Sequence, residues 1–248
     1  MRHSILMAYS RPKNARILAD HMRGQGVEWR PLCSQLDIDG NPCDTVASLP
    51  KEDWIKPWKA ELPTKARIDP QGHQSQNVPA VNPGNWLVDK FFDEMKERNP
   101  EDRSKGEGFF FDDHYLSFMT DDCLWHDQHW KILQAHFRPN FSVEHRPKMV
   151  VCAHRFRENV CPAISGKGPN GFLWENNSLL CFSTRVEALT VRADLMRDIR
   201  FGELWCADGM LVERLKRENP SSVALANDTL VYWSALNPAD WGFAHHER

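Results

Sequence analysis

Apolar positions change their period along this chain, and each change marks an element. Ser4 to Ala8 (SILMA) is an apolar run of strand length, and Tyr9-Ser10-Arg11-Pro12 is a turn. From Asn14 to Met22 the residues Ile17, Leu18 and Met22 fall at helical spacing, and Gly24 and Gly26 end the helix. Val27 to Cys33 (VEWRPLC) reads as a second strand. Strand, turn, helix and strand at this length predict a βαβ unit with parallel strands.

The pattern then breaks. Residues 35–85 carry Pro42, Pro50, Pro57, Pro63, Pro70, Pro79 and Pro83 with few periodic apolar positions, so no strand is placed there; so long an irregular stretch is expected to be functional or an insertion. Periodicity returns at Trp86, where Leu87, Phe91 and Met95 form one helical stripe. Tyr115 to Met119 (YLSFM) is a strand that runs into Asp121-Asp122. The spacing of Leu124, Trp130, Leu133 and Phe137 predicts a helix over 124–137, and Met149 to Ala153 a strand. A glycine-rich loop at 165–171 precedes a strand at Leu179 to Ser183, helices follow over 186–199 and 208–217, and Val223–Ala226 and Thr229–Trp233 are late strands. Strands alternating with helices, without an internal repeat, indicate an α/β fold.

Composition narrows the class. The 248 residues have the length of one large domain, with a globular balance of 41% hydrophobic and 26% charged residues. A net charge of −3 gives no global electrostatic case for nucleic acid or anionic membrane. The N-terminal apolar stretch is too short for a signal peptide, and no run of about 18 apolar residues follows. Seven scattered cysteines without a Cys-x-x-Cys pair read as free thiols in a reducing compartment, so the expected location is cytoplasmic.

The candidate chemistry is acidic. In open α/β sheets ligands bind beyond the carboxyl ends of strands, where Asp121 and Asp122 fall. Two carboxylates there suit a hard cation such as Mg²⁺ or Mn²⁺, and capping of the next helix is the plain alternative. Asp208 opens an amphipathic helix in WCADGMLVERL, as its N-cap or as a general base. Lys167 is followed by Gly168 and Pro169, so the glycine-rich loop is not a Walker A loop; a mobile loop over a site and a surface turn fit it equally. Cys123, His126 and His129 share a helical face, but their spacing matches no common zinc pattern. His245 and His246 lie in a polar tail. Basic residues at 185, 192, 197 and 200, alternating with Glu187, Asp194 and Asp198, read as a solvated mixed-charge face.

Taken in order, these segments resemble an inverting nucleotide-sugar glycosyltransferase of the GT-A fold, close to the family 2 type. SILMAYSRP is similar to the family's first strand and Arg-Pro turn, NPGNWLVDKFFDE (82–94) to its Asn-containing helix, YLSFMTDDCLW to the strand entering its acidic metal motif, residues 173–189 to its acceptor-side strand and helix, and WCADGMLVERL to the helix that carries its base. The likeness is strongest at 4–18 and 115–125 and nearly absent from 35 to 80. It implies a Rossmann-like mixed sheet flanked by helices in one domain, 1–248, with a nucleotide-sugar half at 1–123 and an acceptor half at 124–248. It further implies donor contacts from Ala8, Tyr9, Arg11, Asn85 and Asp121, and a Mn²⁺ or Mg²⁺ ion on Asp121, Asp122 and His245. Asp208 becomes the base that deprotonates an acceptor hydroxyl attacking a UDP-type sugar, and Trp174 and Trp205 offer flat faces for a sugar ring. The acceptor class (saccharide, lipid-linked sugar, protein or modified nucleobase) and the oligomeric state stay open. Two departures stand out: Cys123 follows the aspartates where the family's last acid can fall, and Ala207 precedes Asp208 where relatives carry Glu. A nucleotidyltransferase and a non-catalytic sugar- or partner-binding protein on the same scaffold are the alternatives.

Overall fold

The computed structural model describes residues 1–33, 44–59, 64–68, 74–79, 83–98, 113–138, 140–156, 159–161, 186–201, 207–218, 220–232 and 235–236. Strand β1 (Arg2–Tyr9) leads through a 3-10 turn at Pro12–Asn14 into helix α1 (Ala15–Arg23) and then β2 (Glu28–Cys33). β1 and β2 pair in parallel, with Ser4 opposite Glu28 and Tyr9 opposite Cys33, as the opening pattern predicts. α1 buries Ala15, Leu18, Ala19 and Met22, while Ile17 faces outward at 49% exposure. Gly26, at φ +69°, takes the left-handed conformation that returns the chain to β2.

The proline-rich stretch holds a two-residue edge strand, β3 (Trp58–Lys59), parallel to β2, and a separate antiparallel pair, β4 (Thr64–Ile68) with β5 (Gln74–Pro79). Helix α2 (Pro83–Arg98) buries the expected stripe of Leu87, Phe91 and Met95. Beyond it lie β6 (His114–Thr120), β7 (Leu124–Trp125), α3 (His129–His136), β8 (Met149–Phe156), β9 (Asn159–Cys161), β10 (Leu189–Arg192), α4 (Ala193–Asp198), α5 (Ala207–Glu218) and β11 (Val223–Tyr232). Nine strands make one mixed sheet in the order β3-β2-β1-β6-β10-β8-β11-β7, with β9 on β8. β10 is antiparallel to both of its neighbours, and β7 is antiparallel to β11. The expected α/β class with a mixed sheet and flanking helices is the observed one.

Three readings are corrected. Residues 124–125 form β7, and the helix starts only at His129. The Trp125 N–H donates to His21 Nε2 on α1 (2.9 Å) and Val231 pairs with Trp125, which holds the chain extended there. Residues 186–199 are a 3-10 turn, a strand and a short helix. A strand buried on both faces is a continuous apolar run, which periodicity does not separate from a helix. Glu187 and Arg192 are accordingly buried, whereas Arg197 and Asp198 are exposed; Arg185 lies outside the described residues. The two late strands are one, β11, with a register shift between Ala226 and Leu230. The strand expected at 179–183 and the loop at 165–171 lie outside the described residues.

Candidate functional site

In the sheet order β2-β1-β6 the chain passes from β1 to one side and returns on the other, so strand order reverses between β1 and β6. At such a reversal the loops leaving adjacent strands diverge and open a crevice at the carboxyl ends. Here the turn after β1 carries Ser10 and Arg11, and the turn after β6 carries Asp121 and Asp122.

These two turns are bonded to each other. Asp121 Oδ2 accepts from the Ser10 backbone N–H (2.6 Å), the Ser10 hydroxyl (3.2 Å) and the Arg11 backbone N–H (2.8 Å). Its Oδ1 accepts from Arg11 Nη1, and Arg11 Nη2 lies 3.7 Å from Asp122 Oδ2. Asn14 stands at the N-cap position of α1 but makes no cap bond; its amide donates to the Asp121 carbonyl (2.8 Å). Both aspartates are almost wholly buried, at 1% and 5% exposure. A buried carboxylate persists only when paired and hydrogen-bonded, and the turn at 9–14 supplies those partners.

Asp122 has different neighbours. Its Oδ1 accepts from the Thr120 hydroxyl (2.8 Å) and, at 3.6 Å, from the Cys123 thiol. The same hydroxyl lies 2.9 Å from Cys123 Sγ and 3.2 Å from Glu187 Oε1. A hydroxyl has one proton, so Asp122 and Glu187 compete for it, and the shorter contact favours Asp122. Leu236 N–H donates to the Asp122 carbonyl (2.9 Å), which brings residues 235–236 to this edge.

The other candidate residues fall as follows. Ala8 lies in the β1 ladder opposite Leu32 and Thr120. Tyr9 is buried edge-on to Trp29; the Ser48 hydroxyl donates to the Thr45 carbonyl (2.6 Å), so Tyr9 donates its own hydroxyl to Ser48 (2.8 Å). Asn85 has both amide groups on the Phe201 backbone, donating to its carbonyl and accepting from its N–H, each at 2.9 Å. Asp208 is the second residue of α5. His245, Trp174 and Trp205 lie outside the described residues. His129 Nδ1 is bonded to Thr229 (2.8 Å). Because 124–125 is strand and the helix starts at His129, Cys123, His126 and His129 do not share a helical face, and among the described residues no three His, Cys, Asp or Glu side chains are grouped to hold a metal ion.

Sequence reading missed Ser10, Asn14, Thr120 and Glu187 as members of this edge. Asn14 carries a helix-start signal, which hides a tertiary role. Glu187 sits in a charge pattern that looks solvated until β10 is seen to be buried.

No protein-family model matches this sequence, and no curated protein matches it significantly. Among solved structures the chain is similar to S. aureus TarS. A crystal structure of TarS 1-349 in complex with UDP shares 14% identity at a TM-score of 0.44, over 94% of this chain and 60% of that one. Another of TarS shares 14% at 0.46, over 94% and 36%, and a further one of TarS 1-349 shares 13% at 0.40, over 94% and 58%. The chain therefore spans at most about three fifths of the TarS chains it matches. Among the described residues no helix is long and apolar enough to cross a membrane.

Proposed function

We propose that this chain is a glycosyltransferase that moves a sugar from a nucleotide-diphosphate sugar of the UDP class to an acceptor hydroxyl, with inversion. The observation that carries the reading is the bonding of the Ser10-Arg11 turn to Asp121-Asp122 at the point where strand order reverses. A diphosphate leaving group develops negative charge, and a planar guanidinium is suited to bind it through paired N–H donors. Arg11 supplies a guanidinium at this edge.

Asp121 does not fit a metal ligand in this arrangement, because Ser10 and Arg11 supply four donors to its two oxygens. Asp122 fits better. Mg²⁺ and Mn²⁺ sites are often completed by one or two carboxylates, substrate phosphates and water. A bound ion would stabilise the charge on the departing diphosphate. In the proposed division of work Asp121 fixes the Arg11 turn and Asp122 faces the ion, with His245 as a further contact from the C-terminal segment. Ala8 and Tyr9 flank the nucleoside, and Asn85 braces α2 against Phe201. Asp208 takes the acceptor's proton as the hydroxyl attacks the anomeric carbon from the opposite face.

A thermal-shift screen of nucleoside diphosphates and UDP-sugars, with and without Mn²⁺ or Mg²⁺, tests the reading. A ligand at a hundred times its Kd stabilises by about 2.7 kcal/mol. A metal-dependent shift with one nucleotide supports the transferase, and no shift with any nucleotide overturns it. Asp208→Asn should abolish transfer and leave donor affinity nearly unchanged; weakened donor binding would make Asp208 a ligand contact. Asp122→Ala should weaken metal-dependent donor binding, and unchanged affinity would remove the ion from that residue. The alternative, a sugar-nucleotide binding protein without transfer, is favoured by the Arg11 guanidinium lying on both carboxylates and by Cys123 beside them. Binding without turnover would mark it.

A further inference from the structure

α1 grips the acidic turn at two places. Asn14, immediately before the helix, donates to the Asp121 carbonyl (2.8 Å), and His21 within it accepts the Trp125 N–H (2.9 Å). Seven residues separate the two on the chain, which is about two helical turns, so they lie on the same face roughly 10 Å apart. The residues between the gripped points are Asp121 to Trp125. That segment cannot slide along α1 without breaking one of these bonds.

We propose that His21 is a positioning residue for the Asp121-Asp122 turn, holding its far side to α1 through the backbone of Trp125. The inference rests on the reading of that turn as the donor site. To accept from a backbone N–H, Nε2 must keep its lone pair, so the imidazole is neutral and carries its proton on Nδ1. Protonation of Nε2 puts two donors face to face and breaks the grip. The charged group that acts on the ring is Asp127, which favours the imidazolium; His129, itself held neutral by burial, puts no charge on it. Partial burial outweighs both Asp127 and a backbone bond at Trp125, each of which favours the imidazolium, and holds His21 below its ordinary value of 6.5. The grip is therefore intact at neutral pH and is released in acid.

The test compares wild type with His21→Gln and His21→Leu, by calorimetric titration of a UDP-sugar with Mn²⁺ from pH 7.5 to 5. Gln places a neutral oxygen near the position of Nε2 and cannot be protonated there; Leu keeps bulk without an acceptor. Expected at pH 7.5 is affinity within about twofold of wild type for Gln and a loss of roughly threefold to tenfold for Leu, the range one hydrogen bond is worth. Below 6.5 the ratio of Gln-variant to wild-type affinity should rise as pH falls, and the ratio cancels any titration of ligand or metal. A pH-independent ratio, or a folded Leu variant that binds like wild type, overturns the proposal. In the ligand-free wild type the Trp125 amide resonance should move with the titration of the His21 ring, and an amide that ignores it also overturns the grip. A wild type that binds no nucleotide at any pH, with an amide that does follow His21, instead overturns the donor reading and the positioning role with it, so the two failures are distinguishable.

Discussion

Arg11 serves two carboxylates with one guanidinium, and its own backbone N–H serves one of them again. Arg11→Ala removes the charge but leaves the Ser10 and Arg11 N–H groups on Asp121. The expected cost is near the lower end of the ~3–5 kcal/mol that follows loss of one partner in a buried ion pair. Urea denaturation measures it; a cost under about 1 kcal/mol would mean that the backbone donors alone satisfy Asp121. Asn85 separates a brace from a ligand contact. Asn85→Ala should cost about 1–3 kcal/mol of stability, since it orphans the Phe201 N–H and carbonyl, while nucleotide affinity of the folded protein stays unchanged. At this scale the sequence disclosed the acids and the Arg-Pro turn, because strand ends and turns have local signals. It hid Asn14, Thr120 and Glu187, whose partners lie 67 to 107 residues away or act through a hydroxyl shared between acids.

Elements with local logic were legible. β1, α1, β2 and α2 follow their apolar periods to within a few residues, since each buries one recognisable face or run. β7 and β10 were not. β7 is only two residues long and owes its extended form to β11 and His21, both remote in sequence. β10 is a four-residue strand between β6 and β8 whose apolar residues continue into α4, so a helix period runs through both. Its burial makes it sensitive: Leu189→Ala should destabilise by roughly 2–5 kcal/mol. A shift in denaturation midpoint of less than 1 kcal/mol equivalent would show that the site collapses around the missing atoms.

Across the whole molecule, imidazoles are built into the core in neutral form. His3 stacks on Trp130 at 4.0 Å and bonds to Ser117 (2.8 Å), and His114 bonds to Ser4 (2.9 Å). Burial holds His3 well below its ordinary value; burial first, then Arg2 and Arg30, lowers His114 to about 3, and burial first, then His126 and His21, lowers His129 to about 3. The unfolded chain takes up these protons near pH 6.5 and the folded chain does not. The stabilisation is therefore complete above about pH 6.5 and is lost progressively as pH falls toward 3, by about 1.4 kcal/mol per pH unit for each imidazole. Urea midpoints at pH 7.5 and 5.5 check it, and equal stability at both would contradict neutral burial. Composition reports eleven histidines but not which are enclosed, so this property had no sequence signal.

The place of β10 also bears on how the chain is made. β6 is complete at Thr120, but its far edge is unpaired until Leu189–Arg192 arrive, and β8, although synthesised earlier, reaches β6 only through β10. At about 5–20 residues per second on a ribosome, that interval lasts several seconds. During it the nascent protein presents an open apolar strand, from Tyr115 to Met119, that invites pairing with another chain. Chaperones that cover this edge until β10 arrives should therefore raise the yield of folded chain in cells.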